Sequence, residues 1–231
     1  MSDAAALARL RIPVPDAGQV SARLLEPPDA TAMLVLGHGA GAGMRHRFME
    51  EIATALAVRR VTTLRYQFPY MEAGRRAPDR APRLVATVRA AVATAAQLAE
   101  TKGLPLFAGG KSMGGRMTST AAAEAPLAGV RGLVFFGFPL HAAGKPSTGR
   151  GDHLADVKCP MLFLQGTRDR LANLDLLRSV LEEEVVPAPR LHVVENADHG
   201  FHVLKRSGRT DADVLDELAG VATDWMREIA T

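Results

Sequence analysis

The sequence holds one cysteine, Cys159, in 231 residues. That excludes an intrachain disulfide framework and a cysteine-rich zinc site. Cys159 stands just before the apolar run Met161-Leu162-Phe163-Leu164 and reads as a small buried residue at a strand start. Aromatic residues make up only 5% of the chain, and the formal net charge is +3. Nucleic-acid binding needs a concentrated basic face interleaved with stacking aromatics, so that class is set aside. No apolar run approaches the ~20 residues of a membrane-spanning helix. The opening stretch, Met1 to Arg9, has no basic segment followed by a long apolar one, and it does not read as a secretory leader. The expectation is a cytoplasmic protein in a reducing setting.

What is present is ordinary for a globular chain: 47% of residues are apolar and 23% are charged. That balance can bury a core, which a disordered chain cannot do. The length suits a single domain spanning residues 1–231. From residue 31 onward, apolar runs of strand length alternate with stretches of helical period. Alternation of this kind predicts a mostly parallel central sheet with helices on both faces. The strand candidates are Ala32–Leu36, Val61–Tyr66, Leu104–Ala108, Gly132–Phe136, Met161–Leu164 and Leu191–Val194. Ahead of them, Arg11–Val14 and Val20–Leu25 read as an antiparallel hairpin turned over Pro15–Gln19. After Pro82, residues Leu84, Val88, Val92, Ala95 and Leu98 share one helical face. Leu215, Leu218, Ala222, Trp225 and Ile229 do the same in the last helix, which Thr210 or Asp211 would cap. The stretch between Pro139 and Met161 has room for one short helix, so an inserted lid domain is not expected.

The strongest chemical signal is Gly110-Lys111-Ser112-Met113-Gly114. An apolar strand runs into it and a helical stretch leaves it at once. This is the context of the nucleophile elbow of α/β hydrolases, where a tight strand-to-helix turn exposes a serine. Glycines at 110 and 114 remove the side chains that would collide in such a turn. A serine nucleophile needs a base, and the base needs an orienting acid, in the chain order serine, acid, histidine. The acid is read as Asp169, which hangs in the loop after Met161–Leu164. Asp152 and Asp156 precede that strand, and Asp175 belongs to the next helix. The histidine is read as His199, in the turn after Leu191–Val194, with His202 as runner-up and His192 as a strand residue. Gly200 is read as giving that turn its backbone freedom. The oxyanion donors are expected from the backbone N–H of Met113 and from the loop Gly37–Gly43, at Ala40 or alternatively Gly41. His38 reads as a structural hydrogen-bonder.

Two decoys are set aside. Gly110-Lys111-Ser112 imitates the end of a phosphate-binding loop, but Pro105 stands where that motif needs glycine. Gly37–Ala42 resembles a dinucleotide fingerprint, but the next strand ends in Leu64-Arg65-Tyr66 with no acidic residue. No cofactor and no metal site are expected.

The sequence resembles the dienelactone-hydrolase-like branch of the α/β hydrolases. More narrowly, it is similar to bacterial predicted hydrolases related to the KANL-type subunit of the eukaryotic non-specific lethal complex. The stretches that carry the resemblance are Leu36–Met44, Phe68–Asp79, Gly110–Gly115, Gly137–His141, Gly144–Pro146 and Gln165–Asp169. The resemblance implies the α/β-hydrolase fold and a triad at Ser112, Asp169 and His199. True dienelactone hydrolases carry a cysteine nucleophile, so their lactone substrate is not carried over to this serine.

The expected activity is hydrolysis of a small ester or thioester. The alternative is a catalytically silent interaction module on the same fold. A pocket is expected between the loops Gly37–Met44, Phe68–Arg80 and Phe138–Pro146. Arg45, Arg75, Arg76, Lys145 and Lys111 lie in or beside these loops, which raises the expectation of an anionic group on the substrate.

Overall fold

The computed structural model describes residues 5–183, 185 and 189–231. The first four residues, on which the reading of the N-terminus partly rests, lie outside the described residues. Continuous apolar runs become strands covered on both faces. β3 (Ala32–Gly37), β4 (Val61–Tyr66), β5 (Leu106–Lys111) and β7 (Met161–Gly166) are buried at every position. With β1 (Ala6–Val14), β2 (Gly18–Glu26), β6 (Val130–Phe136) and β8 (Arg190–Val194) they form one eight-stranded sheet in the order β1-β2-β4-β3-β5-β6-β7-β8. β1 pairs antiparallel with β2, and β2 with β4; every other pairing is parallel.

The hairpin is longer than its sequence announces. The first four residues of β1 are exposed, so the alternation that marks a half-buried strand is missing there. β5 also departs from expectation, running on through Gly109, Gly110 and Lys111 instead of ending at Ala108. Glycine normally weakens a strand. Here a Cβ on Gly109 would lie 1.8 Å from the Val134 carbonyl oxygen, so the close pairing with β6 admits nothing larger.

Two apolar layers cover the sheet. α1 (Arg47–Val58) and α6 (Asp211–Ala230) pack on one face through Ile52, Leu56, Leu218 and Trp225. After the short α2 (Pro69–Glu72), α3 (Ala81–Lys102), α4 (Met113–Glu124) and α5 (Leu174–Glu183) take the other face. α3 begins with Pro82 in its first turn and stops at Gly103 in the left-handed region (φ 64°), as an exposed helix end favours. Thr210 caps α6 in a reciprocal capping box with Asp213. Its buried stripe is turned slightly from the expected one, with Val214 and Met226 sealed and Leu215 and Ile229 only partly covered. Between Gly137 and Pro160 the chain forms only a short 3-10 turn, Asp152–Asp156, and no inserted domain. No helix among the described residues is long and apolar enough to cross a membrane.

Candidate active site

At the carboxyl end of β5 the chain turns from strand into α4 within one residue. Ser112 makes that turn with φ 52° and ψ −117°, a region that costs a non-glycine residue about 1–3 kcal/mol. Its neighbours hold it there: Ser112 N donates to Phe136 O at 3.1 Å, and Ser112 O accepts from Arg116 N at 3.0 Å. The glycines let α4 sit against the end of β3. A Cβ on Gly110 or Gly114 would lie 2.3 or 2.2 Å from the Gly37 carbonyl oxygen.

The structure brings Ser112, His199 and Asp169 into one line. His199 Nε2 lies 2.8 Å from Ser112 Oγ, and His199 Nδ1 lies 2.7 Å from Asp169 Oδ2. The Asp169 carboxylate is fully buried. It accepts further hydrogen bonds from Gln165 Nε2 at 2.5 Å and from Leu171 N at 2.8 Å. Three donors, Gln165, Leu171 N and His199, fix the carboxylate in direction. It therefore orders the imidazole with the proton on Nδ1 and the lone pair of Nε2 facing Ser112.

The other candidates go elsewhere. His192 pairs with Glu217 at 2.6 Å and His202 with Asp211 at 2.7 Å. Asp152 and Asp156 lie in the 3-10 turn, and Asp175 is on the surface near Arg178. A second serine–histidine pair, Ser119 Oγ with His153 Nε2 at 2.7 Å, was not foreseen. Ser119 is sealed inside α4 and also bonds Arg116 O. No carboxylate holds His153 Nδ1 among the described residues, and the pair lies outside the cavity at Ser112.

Gly200 does not play the part expected of it. The left-handed residues of the histidine turn are Asn196 (φ 61°) and Phe201 (φ 66°). The turn is held by Asp198 Oδ1, which accepts from the N–H groups of Gly200 and His202. Gly200 supplies space instead, since a Cβ there would meet the His202 ring at 2.8 Å.

The glycine loop after β3 faces Ser112 and is pinned from below. Phe68 N donates to His38 Nε2 at 3.1 Å, which places the His38 proton on Nδ1, where it is donated to Gly39 O at 2.7 Å. Gly41 N donates to Tyr70 Oη at 2.9 Å, so this alternative oxyanion donor is already engaged. Met44 N is held by Gln67. Arg65 does not point to any nucleotide site; it is buried, bonds Met44 O at 3.2 Å and faces Glu50. Ala40 lines the cavity beside Ser112, and Met113 is the first residue of α4.

Burial pushes the His38 pKa down to about 4. Between that value and the ordinary one, the unfolded chain takes up a proton that the folded chain refuses. The His38 contribution to stability is therefore complete above about pH 6.5 and is lost as pH falls toward about 4, amounting to about 3 kcal/mol. Urea unfolding of wild type and His38→Gln at about pH 7 and about pH 4.5 checks this, with wild type losing the more stability of the two. Equal losses would contradict it.

A cavity of about 590 Å³ opens over Ser112. Its walls are Ala40 and Ala42 of the glycine loop, Phe48 and Met49 of α1, Phe201, and Leu215 of α6. Of the three loops expected to shape it, only the first does so. Phe68 and Tyr70 are buried beneath the glycine loop, Phe68 edge-on to His38 and Tyr70 tilted against it, and the Phe138–Pro146 segment does not reach the cavity. The expected cationic rim is likewise absent. Arg45, Arg75, Arg76 and Lys145 do not line the cavity, and Arg75 with Arg83 is drawn to the carboxylate of Asp79. Arg47 does line it, but is paired with Glu51. Lys111 lies at the floor with its ammonium turned to the main chain of His199.

A strand-built elbow, a buried acid in the loop after β7 and a histidine after β8 define the layout of one fold family. The chain belongs to the alpha/beta hydrolase domain family, whose model matches residues 30–227. Solved structures agree on the fold. A dienelactone hydrolase from Anabaena variabilis superposes with a TM-score of 0.75 at 20% identity, over 97% of this chain and 98% of that one. A lidless α/β serine hydrolase from Xanthomonas campestris gives 0.73 at 20% identity, over 97% and 96%. The esterase domain of a Rhodothermus marinus protein gives 0.70 at 15% identity, over 96% and 98%.

Proposed function

We propose that this chain is a serine hydrolase that cleaves a small ester or thioester through an acyl-enzyme, within a single domain. The observation that carries the reading is the unbroken relay from Ser112 Oγ through His199 to the buried Asp169, at 2.8 and 2.7 Å. Ser112 Oγ attacks the substrate carbonyl carbon while His199 Nε2 takes its proton. The N–H groups of Met113 and Ala40 receive the oxyanion, helped by the positive end of α4. Collapse expels the alcohol or thiol, which leaves with the proton from His199. Water then attacks the acyl-enzyme by the same route in reverse, releasing the acid and freeing Ser112. Asp169 orients the imidazole and balances the imidazolium. No cofactor enters these steps.

The cavity walls of Phe48, Met49, Phe201 and Leu215 suit an apolar acyl or alcohol group, and the paired or diverted cations remove the reason to expect an anionic one. The esterases and serine hydrolases among its structural neighbours favour the same class. Kinship with the bacterial hydrolases related to the KANL-type subunit belongs to this proposal and rests on the sequence stretches quoted above.

Exposure to an activated fluorophosphonate should give one covalent adduct per chain, located on the peptide containing Ser112. p-Nitrophenyl acetate should give a burst of p-nitrophenol close to one per chain, the mark of a covalent intermediate. A folded protein that shows neither would favour the silent interaction module.

A further inference from the structure

We infer that Lys111 is a positioning residue of this site: its ammonium tethers the main chain of His199 to the nucleophile elbow and holds the imidazole in its neutral, proton-accepting form. The inference rests on the triad assignment above.

Lys111 is bonded in sequence to Ser112, yet its side chain runs away from the serine and beneath the histidine turn. Its Nζ donates to the His199 carbonyl oxygen at 2.5 Å. It lies beside the stacked rings of Phe48 and Phe201, whose centres are 5.7 and 5.4 Å away. Only 9% of the residue is exposed. A methionine or leucine would fill this apolar slot with no charge to desolvate. What the lysine adds is a directed bond between the residue beside the nucleophile and the backbone of the base. Ser112 and His199 lie far apart in sequence, and this bond makes their two loops move as one body.

The charge acts as well. A methyl placed on Gly137 would lie 3.0 Å from Lys111 Nζ and 3.5 Å from both Cε1 and Nδ1 of His199. The ammonium is therefore within about 7 Å of the ring, where a cation disfavours a second cation. The other charged groups around His199 are accounted for. From the loop after β7, Asp169 bonds Nδ1 and favours imidazolium, and Asp198 on the histidine's own turn acts the same way. On the cavity wall, Arg47 is paired with Glu51 and His202 with Asp211, and His46 caps α1 by accepting from Phe48 N. Lys111 is the cation set against Asp169. Burial pushes its own pKa down to about 8, opposed by the fields of Asp169 and Asp198.

The test is the imidazole titration of His199, followed by NMR, in wild type, Lys111→Met and Lys111→Arg, with p-nitrophenyl ester kinetics alongside. Lys111→Met should raise the His199 pKa by about one unit, since the opposing cation is gone. The acid limb of kcat/KM should move up with it. Its kcat should fall about 10–100-fold with KM changed less than about twofold, because the tether orients the base and does not bind substrate. Lys111→Arg keeps the charge in a wider head; it should lower kcat and leave the imidazole pKa in place. An unshifted His199 in Lys111→Met, or an equal shift in Lys111→Arg, overturns the inference even if activity drops. If Lys111→Met does not fold, Lys111→Arg decides alone: an unmoved imidazole with lowered kcat supports the role, and a raised one overturns it. The titration needs no turnover, so an inert wild type would count against the hydrolase reading while Lys111 is still decided.

Discussion

Ser112→Ala should lower kcat/KM for p-nitrophenyl esters by at least about 10³-fold, a loss of about 4 kcal/mol of transition-state stabilisation. The thermal midpoint should hardly move. Alanine has the same backbone cost at φ 52° as serine, and the two main-chain bonds that hold the turn, to Phe136 and Arg116, are kept. What disappears is the single Oγ that His199 Nε2 approaches at 2.8 Å. The imidazole nitrogen left behind borders an open cavity, so water satisfies it and no buried group is orphaned. Any activity that remains would come from water attack helped by the oxyanion donors, with no burst of product. A loss below about tenfold would mean that the proposed nucleophile is wrong, because no other serine bonds a histidine backed by an acid among the described residues.

Gly114→Ala should have the largest effect on folding. The added methyl would lie 2.2 Å from the carbonyl oxygen of Gly37 and 2.3 Å from its carbonyl carbon, both main-chain atoms. Gly37 cannot yield easily, because β3 is paired on one side with β4 and on the other with β5. α4 would have to lift off the sheet instead, which disturbs Ser112 at its N-terminus. The expected destabilisation is on the order of 3 kcal/mol, or about 10 °C in thermal midpoint. Activity should fall further than the folded fraction accounts for. Gly220→Ala, on α6, serves as the comparison, since its φ is not left-handed and its added methyl meets only the end of the Arg59 side chain, at 3.7 Å. If Gly114→Ala melts within a few degrees of wild type, the contact between α4 and β3 is looser than described.

The proposed triad was legible because each member follows an apolar strand that the sequence displays plainly. Asp169 and His199 needed only the positions of β7 and β8, and Ser112 carried its own glycines. The hairpin was legible in kind and not in length, since the outer end of β1 is exposed and carries no alternation. Of the cavity walls, only the glycine loop was legible. The apolar walls from the N-terminal ends of α1 and α6 are brought together by packing on one face of the sheet, which no local pattern announces. The arginine run misled for a related reason: Asp79, the carboxylate that engages Arg75 and Arg83, reads in sequence as one more surface residue. Lys111 read as one of the cations that would draw an anionic substrate, and only the folded chain reveals that its ammonium is spent on the His199 carbonyl. Gly200 shows the same limit on a smaller scale, because its role is clearance from His202 and not backbone freedom.

The three groups of the proposed relay come from separate crossings of the sheet, with Ser112 and His199 87 residues apart and Asp169 and His199 30 apart. β8 is an edge strand, like β1, and the last to enter the sheet in chain order. Until it docks, His199 has no fixed place, and the serine at the elbow is an ordinary alcohol in a strained turn. Long-range parallel pairings of this kind are completed late, because loop closure must precede them. A chain still emerging, or one whose last strand has come loose, therefore lacks the assembled form of the proposed relay. Such a chain would be silent toward the bonds around it, and recovery of turnover would mark the moment when the whole sheet has closed.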